Sequence, residues 1–221
     1  MSIIPDEIKR SRRKTLSISI DSLGRVIVRA PMRYPLERIQ EFLDEKEEWI
    51  LKHKSRMNAS GICLPGANLD GYELMILGEK YKIVLDGGKR VRFRTDERLI
   101  FVPSENAEER LRRFIKENAK RIFTEATRIR AEEMGVRYQD VTITSAATRW
   151  GSCTGDNRIR FTFRLLYAPK EVIDYVIVHE LCHTLHHDHS RAFWAAVESV
   201  LPDYKWKRKW LKDRGALLKI L

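Results

Sequence analysis

Period-two alternation is the first pattern along the chain. In "KTLSISIDSLGRVIVRAP" apolar and polar positions alternate on either side of Ser22, Leu23 and Gly24, which predicts a β-hairpin. From Pro35 the period lengthens. Leu36, Ile39, Phe42, Leu43, Trp49 and Ile50 in "PLERIQEFLDEKEEWILKHKSRM" form a largely helical apolar stripe. Residues 58–71 are rich in Gly, Asn and Pro and predict a loop or lobe boundary. Two more strand pairs follow, "YELMILGEKYKIVLD" turning at Gly78 and "KRVRFRTDERLIFVP" turning near Asp96.

After Pro103 a long helix is predicted, capped by Ser104, striped by Leu111, Phe114, Ile115, Ile122 and Phe123, and ended by Gly135. "DVTITSAATRWGSC" reads as a strand entering a corner, and "TGDNRIRFTFRLLYAP" as its return after a turn at Gly155 to Asn157. Pro169 starts the helix "KEVIDYVIVHELCHTL", and "SRAFWAAVESV" and "YKWKRKWLKDRGALLKI" predict two more. The fold class expected is α+β, with amino-terminal antiparallel strands and a helix. The organisation expected is a β-rich lobe over residues 1–104 and a second lobe over 105–221, or one continuous domain.

With 221 residues and 43% hydrophobic content the chain can bury an ordinary globular core. No apolar run approaches the ~20 residues a membrane helix needs, and the basic amino terminus lacks the apolar core of a signal peptide. Cys63, Cys153 and Cys182 make no spaced framework, which fits reduced thiols and a cytoplasmic protein. The net charge of +11 is partly patterned. Arg90, Arg92 and Arg94 oppose Val91 and Phe93, and Arg158, Arg160 and Arg164 oppose Ile159, Phe161 and Phe163. Solvated faces of half-buried strands are the favoured account; a surface for nucleotide or nucleic acid is the alternative.

"HELCHTLHHDHS", residues 179–190, holds five of the six histidines. His179, Glu180 and His183 form an H-E-x-x-H pattern. Side chains four apart on a helix have Cβ atoms roughly 5–6 Å apart, so two imidazoles can converge on one ion while the intervening glutamate stands beside it to take a proton from water. The apolar run from Val172 to Val178 places this pattern in a buried helix, where unpaired polar groups are costly. His187 continues the row, but eight helical residues advance about 12 Å, too far for a shared ion. His189 reaches only if the helix ends near residues 185–188 and the chain turns back. Metzincins use the same ten-residue offset with a glycine in the turn, where His186 stands here. Glu198, on the next helix, is the rival third ligand.

With "RWGSC" at 149–153, "IDYVIVHELCH" at 173–183 and "HSRAFW" at 189–194, the chain resembles the YgjP-like metallopeptidase-domain family, related to SprT-like zinc peptidases. The resemblance implies a zincin-like catalytic lobe, a bound Zn2+ held by His179, His183 and His189, and Glu180 as general base or acid. Thr162 and Asp188 stand where the family often has asparagine; Asp188 is a candidate to tune the third ligand through a hydrogen bond to its ring.

Trp150 reads as a core anchor and Gly151 as permitting a tight bend, while Arg149 is a candidate oxyanion or acidic-substrate contact. Cys153 is expected near the cleft and Cys182 as a small buried residue. Three functions follow: a zinc-dependent peptidase acting on protein or peptide, a zinc-dependent hydrolase of a nucleotide or other phosphoanhydride, and a DNA-associated protein-processing or nucleic-acid-binding module. No membrane partner is expected.

Overall fold

A computed structural model describes residues 3–20, 25–52 and 69–218. Contacts divide the chain into two units, residues 1–68 with 220–221, and residues 69–219. The division falls in the Gly-, Asn- and Pro-rich stretch; the strands that follow it group with the later helices and not with the amino-terminal strands. No described helix is long and apolar enough to cross a membrane.

In the first unit, β1 (Glu7–Ser11), β2 (Ser17–Ile20) and β3 (Val26–Pro31) form a sheet in the order β1-β3-β2. The predicted hairpin strands β2 and β3 pair antiparallel, and the predicted turn itself lies outside the described residues. β1 pairs parallel to β3, which corrects the expectation of an all-antiparallel amino-terminal sheet. Two helices, α1 (Leu36–Glu45) and α2 (residues 47–52), stand where one was predicted, because Lys46 leaves helical geometry. Ile39, Leu43 and Ile50 are buried against Val26, Val28 and Ala30, whereas Leu36 and Trp49 from the same stripe are exposed.

The second unit holds two sheets and four helices among its described residues. β4 (Glu73–Ile76), β5 (Glu79–Asp86), β6 (Arg92–Arg94) and β7 (Leu99–Pro103) are ordered β4-β5-β7-β6. Both predicted hairpins form, and β5 joins them by pairing parallel to β7. Then comes α3 (Ala107–Met134), whose Leu111, Ile115, Ala119, Phe123, Thr127 and Ala131 make one buried row at four-residue spacing. Gly135 ends it at φ +66°, a left-handed conformation that costs glycine little. Ser104 does not cap it: its hydroxyl donates to the Asp86 carbonyl, and Asn106 occupies the cap position without a side-chain bond.

β8 (Val141–Thr144), β9 (Gly151–Cys153) and β10 (Ile159–Thr162) form the third sheet in the order β8-β10-β9. β10 is parallel to β8 and antiparallel to β9, leaving β9 at an edge. The strand stops at Thr162, and a 3-10 turn over Phe163–Tyr167 takes Arg164 off the predicted basic face; its guanidinium donates to the Ser145 carbonyl at 2.7 Å. α4 (Lys170–Cys182), α5 (Arg191–Val200) and α6 (Tyr204–Leu218) complete the unit. α4 buries Val172, Ile173, Val176, Ile177, Val178 and Leu181, each worth roughly 1.5–3 kcal/mol. Arg130 of α3 grips Asp174 of α4 with two bonds, 2.7 and 2.6 Å long. A helix held on this many sides is a rigid base for the groups at its carboxyl end.

Candidate metal centre and active site

α4 places His179 and His183 one turn apart, with ring centroids at 4.9 Å. The chain then reverses without a glycine. Thr184 and Leu185 N–H groups bond the Leu181 and Cys182 carbonyls in short turns, and the His186 N–H also reaches Cys182. No described residue from 183 to 190 has a positive φ. The reversal is sealed where the Asp188 carboxylate accepts the Ser190 N–H at 3.2 Å and the Ser190 hydroxyl caps α5 by accepting the Phe193 N–H. His189 is thereby brought back, its Nε2 3.2 Å from His179 Nε2 and its ring 4.7 Å from that of His183. Asp188 thus shapes the turn through Ser190, and its bond is not to the His189 ring as the sequence suggested.

The ligand atoms of His179, His183 and His189 all lie within 4.8 Å of one another. Two nitrogens on one tetrahedral divalent ion with bonds of ~2.1 Å would stand about 3.4 Å apart, close to the 3.2 Å between His179 Nε2 and His189 Nε2. His183 Nδ1 lies 3.0 Å from the His186 carbonyl. A carbonyl only accepts, so Nδ1 carries the proton and Nε2 keeps its lone pair. Burial, with the neighbouring His183 and His189, pushes His179 down to about 3; burial also lowers His183. Neutral imidazole is the form that ligates a metal, so the donor set fits a divalent ion. The rings share an apolar wall: buried Phe193 lies 4.4–4.9 Å from all three, and Trp194 stacks on His189 at 5.7 Å. Phe193 stood in the sequence only as part of the "HSRAFW" motif, with no role assigned to it.

Glu180 is 5% exposed, and its carboxyl lies against Gly151 of β9. Burial raises its carboxyl to about 8, and Arg149 opposes that rise. A Cβ on Gly151 would stand 2.5 Å from Glu180 Oε1 and 2.7 Å from its Cγ. Gly151 is therefore glycine to admit the carboxyl, and not for a bend as the sequence suggested. Cys153 feels the same carboxylate: burial and then Glu180 push its thiol up to about 11, which keeps it protonated and unreactive. Cys182 is fully buried, and Cys153 and Cys182 are both free thiols, while Cys63 lies outside the described residues. Trp150 packs against Gly215 of α6.

The rival ligand does not converge. Glu198 is exposed and paired with Lys205 at 3.3 Å, and His187 is exposed outside the cluster.

A helix-borne pair of imidazoles, a third from the following turn and a buried carboxyl make a candidate metal-dependent hydrolytic centre. The chain belongs to the YgjP-like family, whose metallopeptidase-domain profile matches residues 14–214. Comparisons with curated proteins and with solved structures give no match.

Proposed function

We propose that the protein is a zinc-dependent peptidase with a zincin-like catalytic lobe in which His179, His183 and His189 hold the metal and Glu180 moves the proton. The observation that carries this reading is the convergence of the three imidazoles at the end of a helix whose same turn carries a buried carboxyl. Zinc bound by that set would supply Lewis acidity to a substrate carbonyl and to water. The chain's own groups do the rest. Glu180, raised by burial and pulled back by Arg149, has a proton affinity near neutrality, suited to accept a proton from attacking water at its carboxylate and return it to the leaving amine. Arg149 is the charged donor available to a developing oxyanion or an acidic substrate group.

Peptide is favoured as substrate by the edge position of β9. In its antiparallel pairing Ser152 faces Arg160 and the Thr162 N–H bonds the Trp150 carbonyl. Ladder alternation then turns the N–H and C=O of Gly151 and Cys153 to the open edge, where an extended chain can add as a strand beside Glu180. The phosphoanhydride and nucleic-acid readings rested on the basic strand faces. Arg92 is paired with Asp86, Arg94 with Glu97 and Arg158 with Asp156, which lessens their support.

Metal analysis and peptide hydrolysis test the reading together. Wild type and Glu180→Gln should each bind one zinc, with hydrolysis lower in the variant by about 10²–10⁴-fold. His189→Ala should lose zinc while His187→Ala and Glu198→Ala keep it. Zinc binding without Glu180-dependent hydrolysis removes the mechanism, and zinc retained in His189→Ala removes the ligand assignment.

A further inference from the structure

Arg149 and Arg160 are both exposed, and among the described residues neither lies within ion-pair distance of a carboxylate, unlike Arg92, Arg94 and Arg158. Both line one pocket of about 110 Å³, whose walls include Thr144, Ser152 and Thr162. The two threonines are spent on the walls. Thr162 donates to the Ala146 carbonyl at 2.8 Å, and Thr144 donates to the Phe161 carbonyl while accepting the Ala146 N–H. That leaves two guanidinium forks and the Ser152 side chain to meet a ligand. The space is far below the ~300 Å³ of a small-molecule site, so it suits one side chain or a chain terminus and not a whole ligand.

Strand register ties this pocket to the proposed active site. Ser152 and Arg160 are paired and share one face of the sheet; Gly151 and Phe161 are paired and share the other, where Glu180 lies against Gly151. A peptide added to the open edge of β9 continues the sheet, and its side chains alternate between those faces. When one residue is presented on the Glu180 face, its neighbour points to the guanidinium face.

We propose that the pocket is a specificity subsite for a substrate carboxylate beside the bond that is cut, held by Arg160 with Arg149. The inference rests on the peptidase reading and adds the substrate class: peptides carrying an acidic side chain or a free carboxyl terminus next to the scissile bond. Arginine suits the task because its planar fork matches both carboxylate oxygens.

The test uses the zinc-loaded full chain carrying Glu180→Gln, which holds peptides uncut, and fluorescence anisotropy on labelled peptides. One neutral, carboxyl-amidated parent is compared with versions in which Glu, Gln or Lys is moved one position at a time, and with a version whose only carboxylate is its terminus. In one register Glu should bind about 10-fold tighter than Gln, the size of a charge-assisted hydrogen bond at a solvated site. Preference for the free-terminus peptide instead identifies the terminal carboxylate as the ligand. Adding Arg160→Ala should abolish the preference, Arg160→Lys should keep part of it, and Arg160→Glu should turn it toward the Lys peptide. Circular dichroism checks that each variant folds, and kcat/KM ratios for the same peptides on protein with Glu180 intact should follow the binding order. Equal binding of all the peptides overturns the proposal, as does a preference that survives loss of both arginines. Cleavage that depends on Glu180 but ignores charge removes the subsite alone. Charge-selective binding with no Glu180-dependent cleavage removes the peptidase reading and leaves the subsite standing.

Discussion

Gly151→Ala adds one methyl group, and the structure fixes where it goes. The new carbon would stand 2.5 Å from Glu180 Oε1, 2.7 Å from Cγ and 2.8 Å from Cδ, against ordinary contact from 3.4 Å. Oε1 must therefore retreat by about 0.9 Å, and α4 cannot follow because its buried side chains and the Arg130–Asp174 bridge hold it. Part of the strain is relieved by rotating the glutamate, so the stability cost is about 1–3 kcal/mol, the range for an added methyl in a packed interior. The cost in rate is larger. A catalytic group misplaced by about 1 Å loses on the order of 10²-fold. Peptide hydrolysis measured beside zinc content and the thermal midpoint separates these effects: zinc retained, midpoint modestly lower, kcat/KM down by about two orders of magnitude. A folded, zinc-bound Gly151→Ala protein with wild-type kcat/KM would refute the placement of Glu180 against β9.

Two further outcomes are expected. Glu180 rises from 4.5 to about 8 on folding. Below the lower value both states hold the proton; between the two the unfolded chain releases a proton that the folded chain keeps, so stability falls as pH rises, and above the upper value the loss is complete. At ~1.36 kcal/mol per unit the loss is on the order of 5 kcal/mol. In the presence of a chelator, Glu180→Gln should match wild type near pH ~4 and exceed it in urea resistance near pH ~9, whereas a difference constant across pH would remove the buried carboxyl as its source. Asp174→Asn weakens the brace between α3 and α4, whose side chains are 29% and 26% exposed. It should lower unfolding free energy by about 1.5–3 kcal/mol in urea titrations, and an unchanged midpoint would show that the bridge contributes nothing net.

The division between what is local and what is long-range runs through both the fold and the site. Hairpins, helices and their faces repeat within a few residues, so period and turn chemistry sufficed for β2 with β3, β4 with β5, β6 with β7 and β9 with β10. The parallel pairs, β1 with β3, β5 with β7 and β8 with β10, join strands that are not consecutive, and alternation tells which side of a strand is apolar without telling its neighbour. Arg164 shows the same limit, since the alternation continues past Thr162 while the backbone winds into a 3-10 turn.

At the centre, His179, Glu180 and His183 share one helical turn, and their mutual placement follows from 3.6 residues per turn. His189 was a conditional reading, because it needed a reversal whose bonds run to carbonyls at the end of α4 and to the Asp188 and Ser190 side chains. Gly151 facing Glu180, and Arg149 and Arg160 around one pocket, had no signature in the chain. By itself the sequence determined the elements, their apolar faces and the candidate chemistry of one helical turn, since these depend on backbone geometry repeated over short distances. Only the tertiary structure decided which strands meet, that Glu198 lies elsewhere paired to Lys205, and which glycine makes room for the carboxyl, because those outcomes depend on packing between segments that local periodicity does not relate.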